Sequence, residues 1–247
     1  MSHIHIDVND VSFAYDNSRR VLENISLHVG EHESVGVIGA NGAGKSTLLK
    51  LLVGLCMPAT GEIRIEEVPV RKDTLSIIRE KIGYVFQDSD SQLFMSTVRE
   101  DVAFAPVNYG LPEDEVARRV DNALAMVNAT HLADRPVYKL SGGEKKLVSI
   151  ATILSMTPDI ILMDEPTIAL DPRNRRNLIS VLNSFEHLKI IASHDLDFVR
   201  QVCSRVIFVS DGRIIYDGNP QNILDNEEYL IQNGLLSLIH ISEPTRL

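Results

Sequence analysis

Gly39-Ala40-Asn41-Gly42-Ala43-Gly44-Lys45-Ser46-Thr47 is the stretch on which the reading of this chain turns. It follows an apolar run, Ser34-Val35-Gly36-Val37-Ile38, that reads as a strand, and it opens a helical pattern from Leu48 to Val53. The spacing fits G-x-x-x-x-G-K-[ST], the phosphate-binding loop. Glycines let the backbone come close to a ligand. Successive N–H groups at a helix N-terminus form a nest for phosphate oxygens. Lys45 is placed to reach the β- and γ-phosphates, and the Ser46 hydroxyl to ligate Mg²⁺. With a strand before it and a helix after it, a glycine turn that binds nothing is the poorer reading. The loop alone says nucleotide, and the rest of the chain must say which machine.

Composition narrows the choice. The 247 residues suit one large domain or two small ones, and 44% apolar residues are ample for a core. A formal net charge of −10 and the lack of a basic tail argue against a nucleic-acid partner. No apolar run approaches the ~18 residues that a membrane span needs. Met1-Ser2-His3-Ile4-His5 has neither the cationic region nor the apolar core of a signal peptide. Cys56 and Cys203 are isolated thiols, which points to a reducing cytosol.

Upstream of the loop, Ile4–Val8 alternates as a strand, with His3 and His5 on it as an ordinary strand face or, given a third ligand, a metal pair. Val11–Tyr15 is a second strand, before a polar turn over Asp16–Arg19. Tyr15 could pack against its own strand or stack on a purine, and packing is the commoner fate of a strand-end tyrosine. Leu22–Val29 alternates as a third strand. Downstream, Glu62–Ile65 reads as a strand, Leu75–Lys81 as a helix, and Ile82–Phe86 as a buried strand ending at Gln87. A polar residue at the C-terminal end of a central strand is where α/β proteins place chemistry.

From Asp88 to about Val137 the strand signal stops. Thr97–Phe104 and Glu113–Val127 read as helices of a subdomain inserted in an α/β core. Leu140-Ser141-Gly142-Gly143-Glu144 opens a long helix through Ser155, with Ser141 as N-cap and Glu144 completing a capping box. The doubled glycine is more than a cap needs and suggests a second anion nest. Asp159–Met163 is a buried strand that runs into Asp164-Glu165-Pro166. Adjacent acids at a buried strand end are costly without a cation, which suits a Mg²⁺-linked Asp164 and a water-activating Glu165. Asp171-Pro172 caps the next helix, Asn174–Phe185. The strand Leu188–Ala192 ends at His194, and Asp211-Gly212 marks a hairpin.

Together these residues resemble the ATP-binding subunit of ABC transporters. Five motifs stand in the required order: the loop GANGAGKST, Gln87 of the Q-loop, LSGGEKK as the signature, IILMDEP as Walker B, and the switch histidine His194. Within that family, FQDSDSQLFMSTVREDVAFAP, residues 86–106, is similar to the energy-coupling-factor group, importers of vitamins and of cobalt or nickel. Two residues depart from the pattern. Leu147 stands where the group usually has Arg, which puts a salt bridge of the helical subdomain in doubt, and Ile168 replaces a small residue.

The resemblance implies a P-loop NTPase fold of ABC ATPase type over residues 1–235: a mixed sheet core, an antiparallel β subdomain, and a helical subdomain at about 88–155. It implies that Tyr15 stacks on adenine and that Gly39 and Asn41, Gly42, Ala43, Gly44, Lys45, Ser46 and Thr47 hold the phosphates of ATP. Ser46, Gln87 and Asp164 surround Mg²⁺, Glu165 polarises the attacking water, and His194 contacts the γ-phosphate. Ser141, Gly142 and Gly143, with Asp171, meet the nucleotide of an opposing subunit, so ATP closes a head-to-tail homo- or heterodimer and hydrolysis reopens it. A single chain is then a poor ATPase. The implied partners are a transmembrane coupling subunit, met by Asp90–Phe94 and the helix after it, and a substrate-binding membrane component. That places the chain peripherally on the cytoplasmic face of the membrane. A non-transport ABC ATPase acting on DNA or ribosomes is the alternative, disfavoured by the acidic charge and the lack of a heptad run.

Residues 236–246, Leu-Ser-Leu-Ile-His-Ile-Ser-Glu-Pro-Thr-Arg, resemble translated read-through of a transposase-type sequencing-library adapter. The expectation is that 236–247 are a non-native tail and that His240 and Glu243 carry no function.

Overall fold

The structure is a computed structural model that describes residues 5–16 and 20–235. The readings of His3, most of the Asp16–Arg19 turn and the 236–247 tail therefore lie outside the described residues. Strands β1 (Ile6–Phe13), β2 (Leu22–Val29) and β3 (Ser34–Ile38) lead to helix α1 (Lys45–Leu52). Strands β4 (Thr60–Ile65) and β5 (Val68–Pro69), helix α2 (Leu75–Lys81) and strand β6 (Ile82–Val85) follow. Helices α3 (Val98–Asn108), α4 (Glu113–Met126) and α5 (Gly142–Leu154) come next without an intervening strand. Then come β7 (Ile160–Asp164), α6 (Pro172–Ser184), β8 (Leu188–Ala192), α7 (Leu196–Val202), β9 (Arg205–Ser210) and β10 (Arg213–Gly218). Helices α8 (Pro220–Leu224) and α9 (Glu227–Gln232) close the described chain.

The chain forms two compact units, one made of the residues up to Leu75 and from Ile190 onward, the other of Ser76–Lys189. In the first unit, β2, β1, β4 and β5 lie side by side in an antiparallel sheet. Two strands were expected where the structure has only β1. Its apolar residues Ile6, Val8, Val11 and Phe13 skip a residue after Val8, and all four are buried. One extra residue against β2, with Asp10 at φ 51°, makes this possible. The bulge keeps both halves of the apolar pattern on the core face.

Also in the first unit, β9 pairs parallel with β3 and antiparallel with β10, a mixed arrangement. Asp211 (φ 47°) and Gly212 (φ 74°) give the β9–β10 hairpin its two left-handed turn residues. In the second unit, β6 pairs parallel with β7. Helix α5 crosses β6 so closely that a Cβ on Gly83 would sit 1.9 Å from Ile153 Cγ2. Helix α3 starts at a complete capping box between Thr97 and Glu100. The order of elements and the buried parallel strands make an α/β fold with a separate antiparallel sheet.

Candidate functional site

In the first unit, all five residues of β3 are buried and the chain leaves it through the glycine loop. Gly44 is the N-cap of α1 at φ 110°, where a Cβ would meet Leu22 Cδ2 at 2.6 Å and the Val21 carbonyl at 3.0 Å. Gly42 faces open space, with nothing within 4 Å of a Cβ. No side chain caps α1 and no acid stands in its first turn. Lys45 is buried, and its Nζ donates to the carbonyls of Gly39 (2.8 Å) and Ala40 (3.1 Å), folding the side chain back over the loop. Ala43 and Thr47 are buried as well, whereas Asn41 is exposed and Ser46 half-buried.

Tyr15 is brought to this loop: its hydroxyl lies 3.2 Å from Thr47 Oγ1. Its ring is 60% exposed, with one contact edge-on to Phe13. The packing role therefore takes only part of the ring and leaves a surface for a flat ligand. His194 is exposed just beyond β8. It is held between Ser193, whose N–H donates to the Val37 carbonyl (3.1 Å), and Asp195, which caps α7 by accepting from Phe198 N (2.9 Å).

The second unit carries the other expected residues. Gln87 is exposed two residues beyond β6. Asp164 ends β7 and is 3% exposed; Glu165 is 5% exposed and has φ 48°. A non-glycine residue in the left-handed region costs about 1–3 kcal/mol, a strain that collects at working sites. Ser141 caps α5 in a reciprocal box: Glu144 N donates to Ser141 Oγ (3.3 Å), and Ser141 N donates to Glu144 Oε2 (2.7 Å). Arg135 donates to the other carboxylate oxygen (2.8 Å). The Ser141 N–H is the main influence holding the Glu144 carboxyl below the usual glutamate range, and Arg135 adds to it.

Gly143 has no room for a side chain, because a Cβ there would sit 2.7 Å from the Ala169 carbonyl. Ala169 is itself left-handed, at φ 68°. Asp171 caps α6 with both oxygens, accepting from the backbone and the side-chain nitrogen of Asn174 at 2.8 Å each. Ser141, Gly143, Glu144, Ala169 and Asp171 line an open cavity of about 990 Å³ within this unit, and His131 and Arg173 join them. Leu147, the departure from the family pattern, is buried and lines the same cavity.

Sequence reasoning missed Lys146, which is 2% exposed and donates to the carbonyls of Phe86 (2.9 Å) and Gln87 (2.7 Å). Burial pushes its ammonium below the usual lysine range, against the pull of Asp164, Asp88 and Glu165. The helical period could have found it, since Lys146 falls on the buried stripe with Ile150 and Leu154. No group of three His, Cys, Asp or Glu among the described residues is arranged to hold a metal. His5 pairs instead with Asp7 (3.2 Å).

A glycine loop opening a helix, a strand-end acid pair and a capped double glycine are the separate features that an ATP-binding cassette carries. Residues 22–168 match the family model described as ABC transporter, and the chain belongs to that family, as an ATP-binding, ATP-hydrolysing subunit coupled to transport. Among its relatives is the energy-coupling factor transporter ATP-binding protein EcfA of Methanothermobacter thermautotrophicus, 45% identical over 238 residues, 94% of this chain and 76% of that protein. The solved structure of cbiO1 from Clostridium perfringens, part of the ABC transporter complex cbiONQ, superposes with a TM-score of 0.80 at 37% identity, covering 96% of each chain. The cassette MJ0796, solved as a dimer in a post-hydrolysis state bound to ADP and Pi, gives 0.81 at 27% identity, covering 87% of this chain and 98% of that one.

Proposed function

We propose that this chain is the ATPase of an energy-coupling-factor importer for cobalt or nickel ions or a vitamin, working as one half of a head-to-tail pair. The observation that carries the reading is the 45% identity, over nearly the whole chain, to a protein of that name. An exposed apolar patch in the second unit supports it. Phe94 (64% exposed) and Phe104 (41%) meet edge to face at 4.7 Å, and Val107 extends the patch. Asp101 fixes the patch by accepting from the N–H groups of Phe94 and Met95, both at 3.2 Å. A transmembrane coupling subunit would dock there, with a substrate-binding membrane component beyond it. No helix among the described residues is long and apolar enough to cross a membrane, which suits a peripheral place on its cytoplasmic face.

The residues fit the nucleotide and its cation. Helix α1 has neither a side-chain cap nor an acid at the end where phosphate would sit. In the proposed site Ser46 would supply a hydroxyl, Gln87 an amide oxygen and Asp164 a carboxylate, each an oxygen donor of the kind Mg²⁺ takes alongside phosphates. Bound there, Mg²⁺ would neutralise phosphate charge. Tyr15 offers its ring to adenine, and residues 39 and 41–47 hold the phosphates, with Lys45 moving from loop carbonyls to phosphate oxygens. Glu165 accepts the proton of the attacking water, and His194 and Gln87 orient the γ-phosphate end. Ser141, Gly142, Gly143 and Asp171 present a finished surface to the partner's nucleotide. In this reading residues 1–235 are the ATP-binding domain and about 88–155 its helical subdomain.

The test is Glu165→Gln in the pair with its membrane partner. Losing the base should slow phosphate release by about 10²-fold or more and trap an ATP-bound dimer on size exclusion. Turnover at the wild-type rate would remove Glu165 from this role.

A further inference from the structure

We propose that Lys146 and Gln92 are positioning residues that clamp the Gln87 segment onto helix α5, so that a push on residues 88–94 moves the glycine nest at the start of α5. The proposal rests on the roles given above to Gln87 and to Ser141-Gly142-Gly143. Every group it uses lies in the second unit. Lys146 Nζ holds the two successive carbonyls of Phe86 and Gln87. The same backbone is held from its other side: Gln92 Oε1 accepts from Phe86 N (3.1 Å). The Gln92 amide nitrogen then donates to the Ser149 carbonyl and to Thr152 Oγ1, both at 2.8 Å and both on α5. Lys145 adds a link from α5 to Asp90.

A buried ammonium is costly unless its donors are matched, and two of them here meet the carbonyls of Phe86 and Gln87. Lys146 satisfies backbone carbonyls that have just left β6 and stand beyond the reach of the sheet ladder. Because α5 begins at Ser141-Gly142-Gly143, the clamp leaves only helix between the Q-loop backbone and the nest. An α-helix is stiff over this length, so displacement at one end appears at the other.

The experiment compares wild type, Lys146→Met, Lys146→Arg and Gln92→Leu as full chains. Hydrogen exchange of residues 83–92 without nucleotide should quicken ~10-fold in Lys146→Met and Gln92→Leu and recover in Lys146→Arg, since exchange reads local opening. Nucleotide affinity should stay within ~2-fold of wild type, while kcat with the membrane partner falls ~10-fold, a loss confined to the step after binding. Unchanged exchange in both Lys146→Met and Gln92→Leu overturns the clamp. So does a joint fall of kcat and affinity that tracks lost thermal stability, because a merely structural role would do that. If Lys146→Met does not fold, Gln92→Leu decides. A wild-type pair that hydrolyses no ATP would sink the transport reading and leave the exchange result to judge the clamp.

Discussion

The N-termini of α1 and α5 are built from similar material and finished in opposite ways. Each is a glycine-rich turn feeding a helix. At α1 no side chain caps the first turn, no acid stands in it, and the outer face at Gly42 is open. At α5 Ser141 and Glu144 satisfy each other's backbone donors, and Arg135 secures the acid. The first end draws on no side-chain cap of its own; the second satisfies the N–H groups of Ser141 and Glu144 from within and leaves the two glycines between them free of side chains. Ligand that binds only the folded state stabilises it by mass action. The α1 loop should therefore gain order when nucleotide binds, whereas the α5 end should be equally ordered with or without it. The carboxylate of Glu144 would also oppose an incoming phosphate, in keeping with the proposal that α5 meets a nucleotide already held by the partner.

Lys45→Ala tests the α1 half most severely. The side chain is buried in the loop and supplies its formal positive charge. Nucleotide affinity should fall ~100-fold or more, about 2.7 kcal/mol by the usual conversion. Calorimetry measures it directly. In a melting experiment the rise in Tm that ATP gives the wild type should vanish in the variant. An unchanged rise would mean that the loop is not where nucleotide stabilises this chain, and the contrast between the two helix ends would fail.

Much of this was legible in the sequence because it is local. The phosphate loop, the capping box, the buried acid pair and the hairpin at Asp211-Gly212 are each written within a few neighbouring residues. The Asp171-Pro172 cap is legible in the sequence, but it starts α6 at Pro172, two residues before the expected Asn174, and Thr97, expected as the first helical residue, is the cap of α3. Longer-range pairings were not legible. The bulge in β1 was readable as a skipped apolar residue, but only pairing with β2 decides that one strand continues through it. The period of α5 can mark Lys146 as buried, but not that its partners are the carbonyls of Phe86 and Gln87, some 60 residues earlier. Gly143 reads as nest chemistry from its neighbours, yet its tightest constraint is the Ala169 carbonyl, from another turn of the same unit. A sequence pattern carries the period of an element but not what lies opposite each residue.

Gly143→Ala breaks the α5 end and leaves α1 intact. Its Cβ would overlap a backbone carbonyl at 2.7 Å, so either the first turn of α5 or the turn at Ala169 must shift. Overpacking of this kind costs about 1–3 kcal/mol. Denaturant unfolding should show that loss. Nucleotide affinity of the isolated chain should stay at the wild-type value, and ATP-dependent dimer formation should be abolished. A parallel loss of nucleotide affinity would show that the two ends do not act separately.

Glu144→Gln is the mildest change and sharpens the comparison most. Glutamine keeps an acceptor for Ser141 N but gives up the charge that faces Arg135 and the helix N-terminus. The folded-state pKa of Glu144 is depressed. Its ionised form therefore stabilises the fold above the unfolded-state glutamate value, and the contribution is lost as pH falls through the folded pKa. A charge at a helix N-terminus is worth about 0.3–1 kcal/mol, and solvent screening at this partly exposed site favours the lower figure. Urea unfolding near pH 7 should thus find the variant less stable by a few tenths of a kcal/mol, and the gap should close toward about pH 4. If the proposed pair forms as described, the same loss of negative charge should strengthen ATP-dependent dimerisation, because the nest would no longer repel the partner's phosphate. Equal stability gaps at both pH values, or weaker dimerisation, would mean that Glu144 serves the interface directly and not through its cap on α5.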